Sequence, residues 1–126
     1  MNSQTSLRFV VLRHEMPAGA ERISHFDFMF ECEDGLLTWA VDAIPQPGQT
    51  LLATQLPLHR KSYLDYEGPI SKNRGHVTRV ESGAYEVVSQ SDNRFAAKML
   101  GDNLRGAIEF ARPRGHWRVT FFAPAD

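Results

Sequence analysis

The sequence predicts an all-β fold: a small closed or nearly closed antiparallel β-barrel with short flanking helical turns, formed as one domain over residues 1–126. Three observations lead there. Short apolar stretches alternate with turn chemistry along the whole chain, the pattern of strands rather than of helices. Eight or nine such stretches can be drawn, and closure of a sheet of that size removes its exposed edges. With 126 residues and 42% hydrophobic content, the chain can bury one real core and is too short for two domains of ordinary size.

The elements follow in order. Residues 8–14 (RFVVLRH) and 25–32 (HFDFMFEC) read as the first two strands. In the second, alternation sets Phe26, Phe28 and Phe30 on one face, continued by Cys32, and His25, Asp27, Met29 and Glu31 on the other. The first face is expected to be core, with a small buried thiol at Cys32, and the second to hold chemistry or water. Residues 33–35 (EDG) form a tight turn, because Asp-Gly tolerates positive φ, and 36–44 return as the partner strand. Two prolines and a glycine make 45–49 a loop; 50–58 are extended until Pro57 interrupts them. After a loop at 67–75, residues 76–88 are expected to split into two short strands hairpinned around ESGA (81–84). Residues 94–100 fit a helix by composition and a strand by alternation. The Gly-Asp-Asn turn that follows, and the alternation of Leu104, Gly106, Ile108 and Phe110, favour strand. Residues 116–122 (HWRVTFF) close the chain.

A formal charge of -1 and a pI near 6.5 exclude a broadly basic surface, so tight non-specific binding to long nucleic acid is not expected. Any anionic partner must be met locally. Basic clusters stand at 59–61 (HRK), 71–76 (SKNRGH) and 112–118 (RPRGHWR), each read on its own as a solvated loop. The single cysteine cannot form an internal disulfide, which fits a reducing compartment. The amino-terminal apolar run is too short for a signal-peptide core, and no run is long enough to cross a bilayer. A soluble, cytoplasmic protein with no membrane partner is expected.

Five histidines carry the candidate chemistry. His14 shares a strand face with Val10 and Leu12 and falls at the strand's end, where a barrel opening is expected; it reads as a metal ligand or as a polar strand-end residue. His25 and Asp27 alternate on one strand face, roughly 7 Å apart at Cα, a separation that one ion can bridge. With His14 they make a two-histidine, one-carboxylate set suited to a divalent metal with open positions, a set that a cupin-type metal barrel would also use. His59 and Tyr63, four apart, share a face in a helical turn or in a strand. Near a phosphoryl group they can move a proton and hold an oxygen; otherwise they are an incidental surface pair. His76 and His116 read as packing or rim residues.

Taken together, FVVLRH, SHFDFMFECEDGLLTWAV, LLATQLPLHRKSYLDYEGPI, VTRVESGAYEV, FAAKMLGDNLRGAIEF and HWRVTFF resemble, in order and spacing, the 3′-phosphoesterase domain of bacterial DNA ligase D and its stand-alone relatives. The resemblance runs through most of the chain. It implies a small β-barrel that uses manganese to remove a 3′-terminal ribonucleoside and then a 3′-phosphate from nucleic-acid ends. By the same resemblance His14, His25 and Asp27 are the metal ligands, for Mn2+ or another divalent ion, and His59 and Tyr63 are catalytic residues at the scissile phosphate. The partners it implies are a nucleic-acid 3′ end or a smaller phosphate ester, and a separate DNA ligase or polymerase.

The chain departs from the family pattern at three positions. Met29 and Leu51 stand where the family has arginines, and Pro57 where it has an acidic residue. Arginine binds phosphate through a planar fork, so its loss implies weaker phosphate affinity, and Arg22 and Arg60 are the candidate substitutes. The same losses define the alternative: a non-catalytic relative that binds metal or nucleic-acid ends.

Overall fold

The computed structural model describes residues 7–124; the first six residues of the amino-terminal stretch lie outside them. Nine strands account for the architecture: β1 (Leu7–Glu15), β2 (His25–Cys32), β3 (Gly35–Val41), β4 (Thr50–His59), β5 (Gly68–Pro69), β6 (His76–Ser91), β7 (Arg94–Gly101), β8 (Arg105–Ala111) and β9 (Arg118–Phe122). One 3-10 turn, Lys61–Leu64, is the helical element among the described residues. Among the described residues no helix is long and apolar enough to cross a membrane.

All nine strands belong to one antiparallel sheet in the order β1-β2-β3-β4-β9-β8-β7-β6-β5, and a further β1–β6 pairing brings the sheet round into a near-ring. Residues facing inward make the main core, including Phe9, Phe28, Phe30, Trp39, Met99 and Phe110, all at most 1% exposed. The aromatic rings interlock: Trp39 stacks on Phe110 at 4.3 Å between centroids, and Phe30 meets Trp39 edge-on. Such contacts add about 1 kcal/mol each beyond area burial.

A second, smaller core lies on the outer face. It joins Val10, Leu12, Met29 and Leu36 of β1–β3 with Leu64 and Val77, and Tyr63 and Ile70 pack against it. The segment from the 3-10 turn to β5 thus lies over the outside of β1–β3. Both faces of β2 are consequently buried, not one: Phe28 and Phe30 on the inside, His25, Asp27 and Met29 on the outside. Cys32, expected buried, is half-buried, as is Phe26.

The expected hairpin around ESGA is absent. Residues 76–91 form one strand, because the register against β1 slips between Val11↔Glu81 and Leu12↔Arg79, leaving Val80 as a bulge. A bulge inserts one residue and reverses which parity faces the core. Val77 therefore serves the outer cluster while Tyr85, also odd-numbered, serves the inner one. The turn at 33–35 forms as expected but without positive φ at Glu33 or Asp34. Gly35 is needed for space, since a Cβ there would stand 2.8 Å from the carbonyl oxygen of His59.

Inside the bend of β6, the buried carboxylate of Glu81 accepts hydrogen bonds from the backbone N–H groups of Ser82 (3.1 Å), Asp102 (3.2 Å), Asn103 (2.8 Å) and Leu104. It satisfies the turn between β7 and β8 much as a strand partner would. Glu81→Gln keeps the shape but turns an amide N–H2 towards N–H donors. We expect a loss of about 3 kcal/mol, read as a lower midpoint in chemical denaturation with an unchanged slope.

Candidate active site

The register of β1 and β2 sets His14 opposite His25 and Leu12 opposite Asp27. His14 has the same parity as Val10 and Leu12, and Asp27 the same as Met29, so these side chains share the outer face with the second core. Asp27 then lies diagonal to His14 across the strand pair, within reach of its ring. The set was expected at the barrel's opening. It stands instead on the outside wall of the ring, under the segment 60–75, because that is the face its parity selects.

The three side chains converge. One ligand atom from each of His14, His25 and Asp27 lies within 4.8 Å of the others. His14 Nδ1 is 3.2 Å from Asp27 Oδ2, His25 Nε2 is 3.0 Å from Oδ1, and the imidazole centroids are 4.9 Å apart. Backbone carbonyls, which can only accept, fix both tautomers. His14 Nε2–H donates to Arg74 O at 2.7 Å, and His25 Nδ1–H donates to Ile23 O at 2.9 Å. Each neutral ring therefore turns a lone pair towards the Asp27 carboxylate. At 3.0 Å, His25 Nε2 and Asp27 Oδ1 are both buried without an aligned hydrogen bond. Lone pairs facing one another in a buried site call for a proton or a metal cation between them. Two imidazoles tied by second partners, plus a carboxylate, fit a divalent metal that keeps open positions.

Without a metal, protons on the imidazoles meet the same carboxylate. Burial would raise the Asp27 carboxyl, but the two histidines outweigh it and hold its pKa at about 2. Burial would lower His25, and the Asp27 carboxylate with the Ile23 carbonyl outweighs it, so its pKa is raised above 6.5.

His59 reaches the same face through a second irregularity. Thr38 pairs with Leu56 and Leu36 with His59, so two residues of β3 span three of β4. Pro57 sits in this bulge, where its missing N–H costs no ladder bond. Without the extra residue His59 would point inward; with it, His59 stands on the outer face opposite Leu36. Its Nδ1–H donates to Pro57 O at 2.8 Å, so a backbone carbonyl orients the ring at the position where an acidic side chain was expected two residues earlier. Tyr63, on the 3-10 turn, meets His59 edge-on at 5.9 Å.

A cleft of about 680 Å3 joins these parts: His14 and Asp27 on one wall, His59 and Tyr63 on another, with Arg22, Arg60 and Arg74 around it. His25 lies behind, buried. All five candidate residues thus gather at or behind one cleft, whereas His76 and His116 do not line it. Of the two positions expected to carry arginine, only Met29 borders the cleft; Leu51 packs against the inner core. Arg22 and Arg60, the expected substitutes, both line it.

Arg74 and Gly75 were not expected. The 71–76 cluster read as a solvated loop, yet the Arg74 carbonyl holds His14, and Gly75 (φ +95°) lets the loop pass 2.2 Å, at its ideal Cβ position, from Glu15 O. The available signal was a glycine immediately before a strand, which marks close backbone approach.

No curated protein matches the chain. A family model described as the DNA Ligase D 3'-phosphoesterase domain matches residues 14–120, a span that opens at His14 and takes in His25, Asp27, His59 and Tyr63. With most of its length matched, the chain belongs to the DNA Ligase D 3'-phosphoesterase domain family.

Proposed function

We propose that the protein is a divalent-metal phosphoesterase, using Mn2+ or a similar ion at His14, His25 and Asp27 to remove a 3′-phosphate or 3′-ribonucleoside from nucleic-acid ends. The observation that carries this reading is the convergence of two carbonyl-anchored imidazoles on one buried carboxylate at the wall of an arginine-bordered cleft. A bound divalent cation supplies positive charge to a phosphoryl oxygen and acidifies water. The chain supplies the rest. Arg22, Arg60 and Arg74 hold the other phosphate oxygens, and the Tyr63 hydroxyl donates to one of them. His59, its Nδ1–H committed to Pro57, exchanges a proton at the leaving oxygen through Nε2. Work in the cytoplasm beside a separate DNA ligase or polymerase is part of the same reading.

The test is incubation with Mn2+ and a labelled primer carrying a 3′-phosphate or a single 3′-ribonucleotide. Product that disappears with chelator and with His25→Ala supports the proposal; no product from the parent, or equal product from the variant, overturns it. Met29, buried at the cleft where arginine was expected, favours a second reading, a non-catalytic end-binding relative. That reading expects binding of the labelled end without turnover.

Metal affinity should rise with pH. The raised His25 pKa means that, without metal, its proton stabilises the fold fully below pH 6.5 and this contribution is lost as pH climbs through the raised value. A cation must displace that proton. We expect Mn2+ binding by calorimetry to be weakest below pH 6.5 and to tighten above it, with proton release measured in buffers of different ionisation enthalpy.

A further inference from the structure

We infer that Ser71 is a positioning residue of the candidate active site: it aims the Arg74 guanidinium so that this arginine, rather than Arg22 or Arg60, supplies the two-pronged phosphate contact that the chain lacks at Met29. The inference rests on the phosphoesterase reading and divides the work among the three arginines that border the cleft.

Ser71, Arg74 and Met29 all line that cleft. Arginine carries five N–H donors in a planar fork. Two of those on Arg74 are committed to one residue: Nε–H donates to Ser71 O at 2.9 Å and Nη2–H to Ser71 Oγ at 3.0 Å. Together they occupy one edge of the guanidinium. The edge at its tip, one N–H of Nη1 beside the second N–H of Nη2, stays free among the described residues, and such an edge can take two oxygens of a phosphate at once. Neither Arg22 nor Arg60 has a side-chain hydrogen bond or ion pair among the described residues. Each must give up rotamer freedom to meet an anion, whereas Arg74 has already given up part of its own.

The turn between Ser71 and Arg74 is held in one shape. Lys72 and Asn73 lie in the left-handed region at φ +61° and +53°, which asparagine tolerates and lysine disfavours. A strained backbone persists where its surroundings over-determine it. Here Ile70 N–H donates to Gly75 O at 2.8 Å and closes the loop, while Arg74 O accepts from His14 Nε2–H at 2.7 Å. That last contact starts the Arg74 side chain beside a candidate metal ligand. One residue therefore serves both halves of the site: its backbone orients His14, and its side chain borders the cleft. The two roles sit on different atoms, so substitutions can separate them.

The experiment compares the parent with Ser71→Ala, Ser71→Thr, Arg74→Ala, Arg22→Ala, Arg60→Ala and the double variant Ser71→Ala/Arg74→Ala. Inorganic phosphate is titrated into each metal-free protein and followed by NMR, Mn2+ affinity is read by calorimetry, and KM is measured with an oligonucleotide bearing a 3′-phosphate. Arg74→Ala should raise the phosphate Kd and the KM about ten- to a hundred-fold, as for lost hydrogen bonds to a charged group, and by more than Arg22→Ala or Arg60→Ala does. Ser71→Ala should raise both about two- to tenfold, as for one side chain that must now be ordered on binding, and Ser71→Thr should restore them. The double variant should match Arg74→Ala alone, because Ser71 acts only through the guanidinium. Mn2+ binding should weaken in none of these proteins, since the Arg74 carbonyl stays on His14. A further loss from Ser71→Ala in the Arg74→Ala background, a loss from Arg22→Ala or Arg60→Ala as large as from Arg74→Ala, or weakened Mn2+ binding in Ser71→Ala overturns the inference. If the parent turns nothing over, the phosphoesterase reading has failed, and the phosphate titration still decides whether Ser71 and Arg74 form an anion clamp.

Discussion

Asp27→Asn should lower turnover of a 3′-phosphorylated oligonucleotide at least about a hundred-fold, with a matching loss of Mn2+ affinity. Losing a partner that only orients a metal ligand costs about ten- to a hundred-fold, and Asp27 would itself be a ligand as well as the shared neighbour of both imidazoles. The substitution is isosteric, so it tests charge. A neutral amide in this 2% exposed position also presents N–H2 towards one of the histidine nitrogens. The carboxylate contributes to the fold as well. Its pKa is held at about 2 against an ordinary 3.8, a difference of about 2 kcal/mol. For a depressed carboxyl this contribution is fully present above pH 3.8 and is lost as pH falls through 2. Chemical denaturation of the metal-free proteins should therefore separate parent from variant by about 2 kcal/mol at pH 7, with the gap closing at the acid end. A variant that binds Mn2+ and turns over like the parent would remove Asp27 from the site.

Most strands were legible because their two-residue period is a direct consequence of pleating, and β1, β2, β7 and β8 carry it without interruption. So was the convergence of His14, His25 and Asp27, because antiparallel neighbours on one face must meet once the register is set. What was not legible shares one cause: places where the period breaks. Val80 reverses the faces of β6, which made a single strand look like two, and the bulge at Pro57 turns His59 outward, where plain alternation would have buried it. Neither irregularity has a residue signature as strong as Asn-Gly at a hairpin. The outer core was hidden for a different reason. A strand buried on both faces shows no polar side, and the polar residues on the outer side of β2 were read as facing an opening because nothing local announces that residues 60–75 fold over them.

The second large effect is expected from Gly75→Ala, which touches no ligand. Gly75 has φ +95°, and a Cβ there would stand 2.2 Å from Glu15 O, 3.1 Å from Glu15 C and 3.2 Å from His14 Cδ2. Two of these atoms are backbone and cannot yield, so the loop must lift. Lifting it withdraws the Arg74 carbonyl that holds His14 Nε2–H, and the ring loses the bond that fixes its tautomer. We expect about 2 kcal/mol or more of lost stability from backbone strain alone, and Mn2+ affinity reduced about ten- to a hundred-fold, as for other losses of a ligand's outer partner. Gly48→Ala separates the two causes. Gly48 has φ +80° with nothing within 4 Å of its Cβ position, so its alanine variant carries the strain without the collision and should lose stability while binding Mn2+ like the parent. If Gly75→Ala behaved the same way, His14 would be held by its strand alone, and the loop's contact with it would have no part in shaping the metal site.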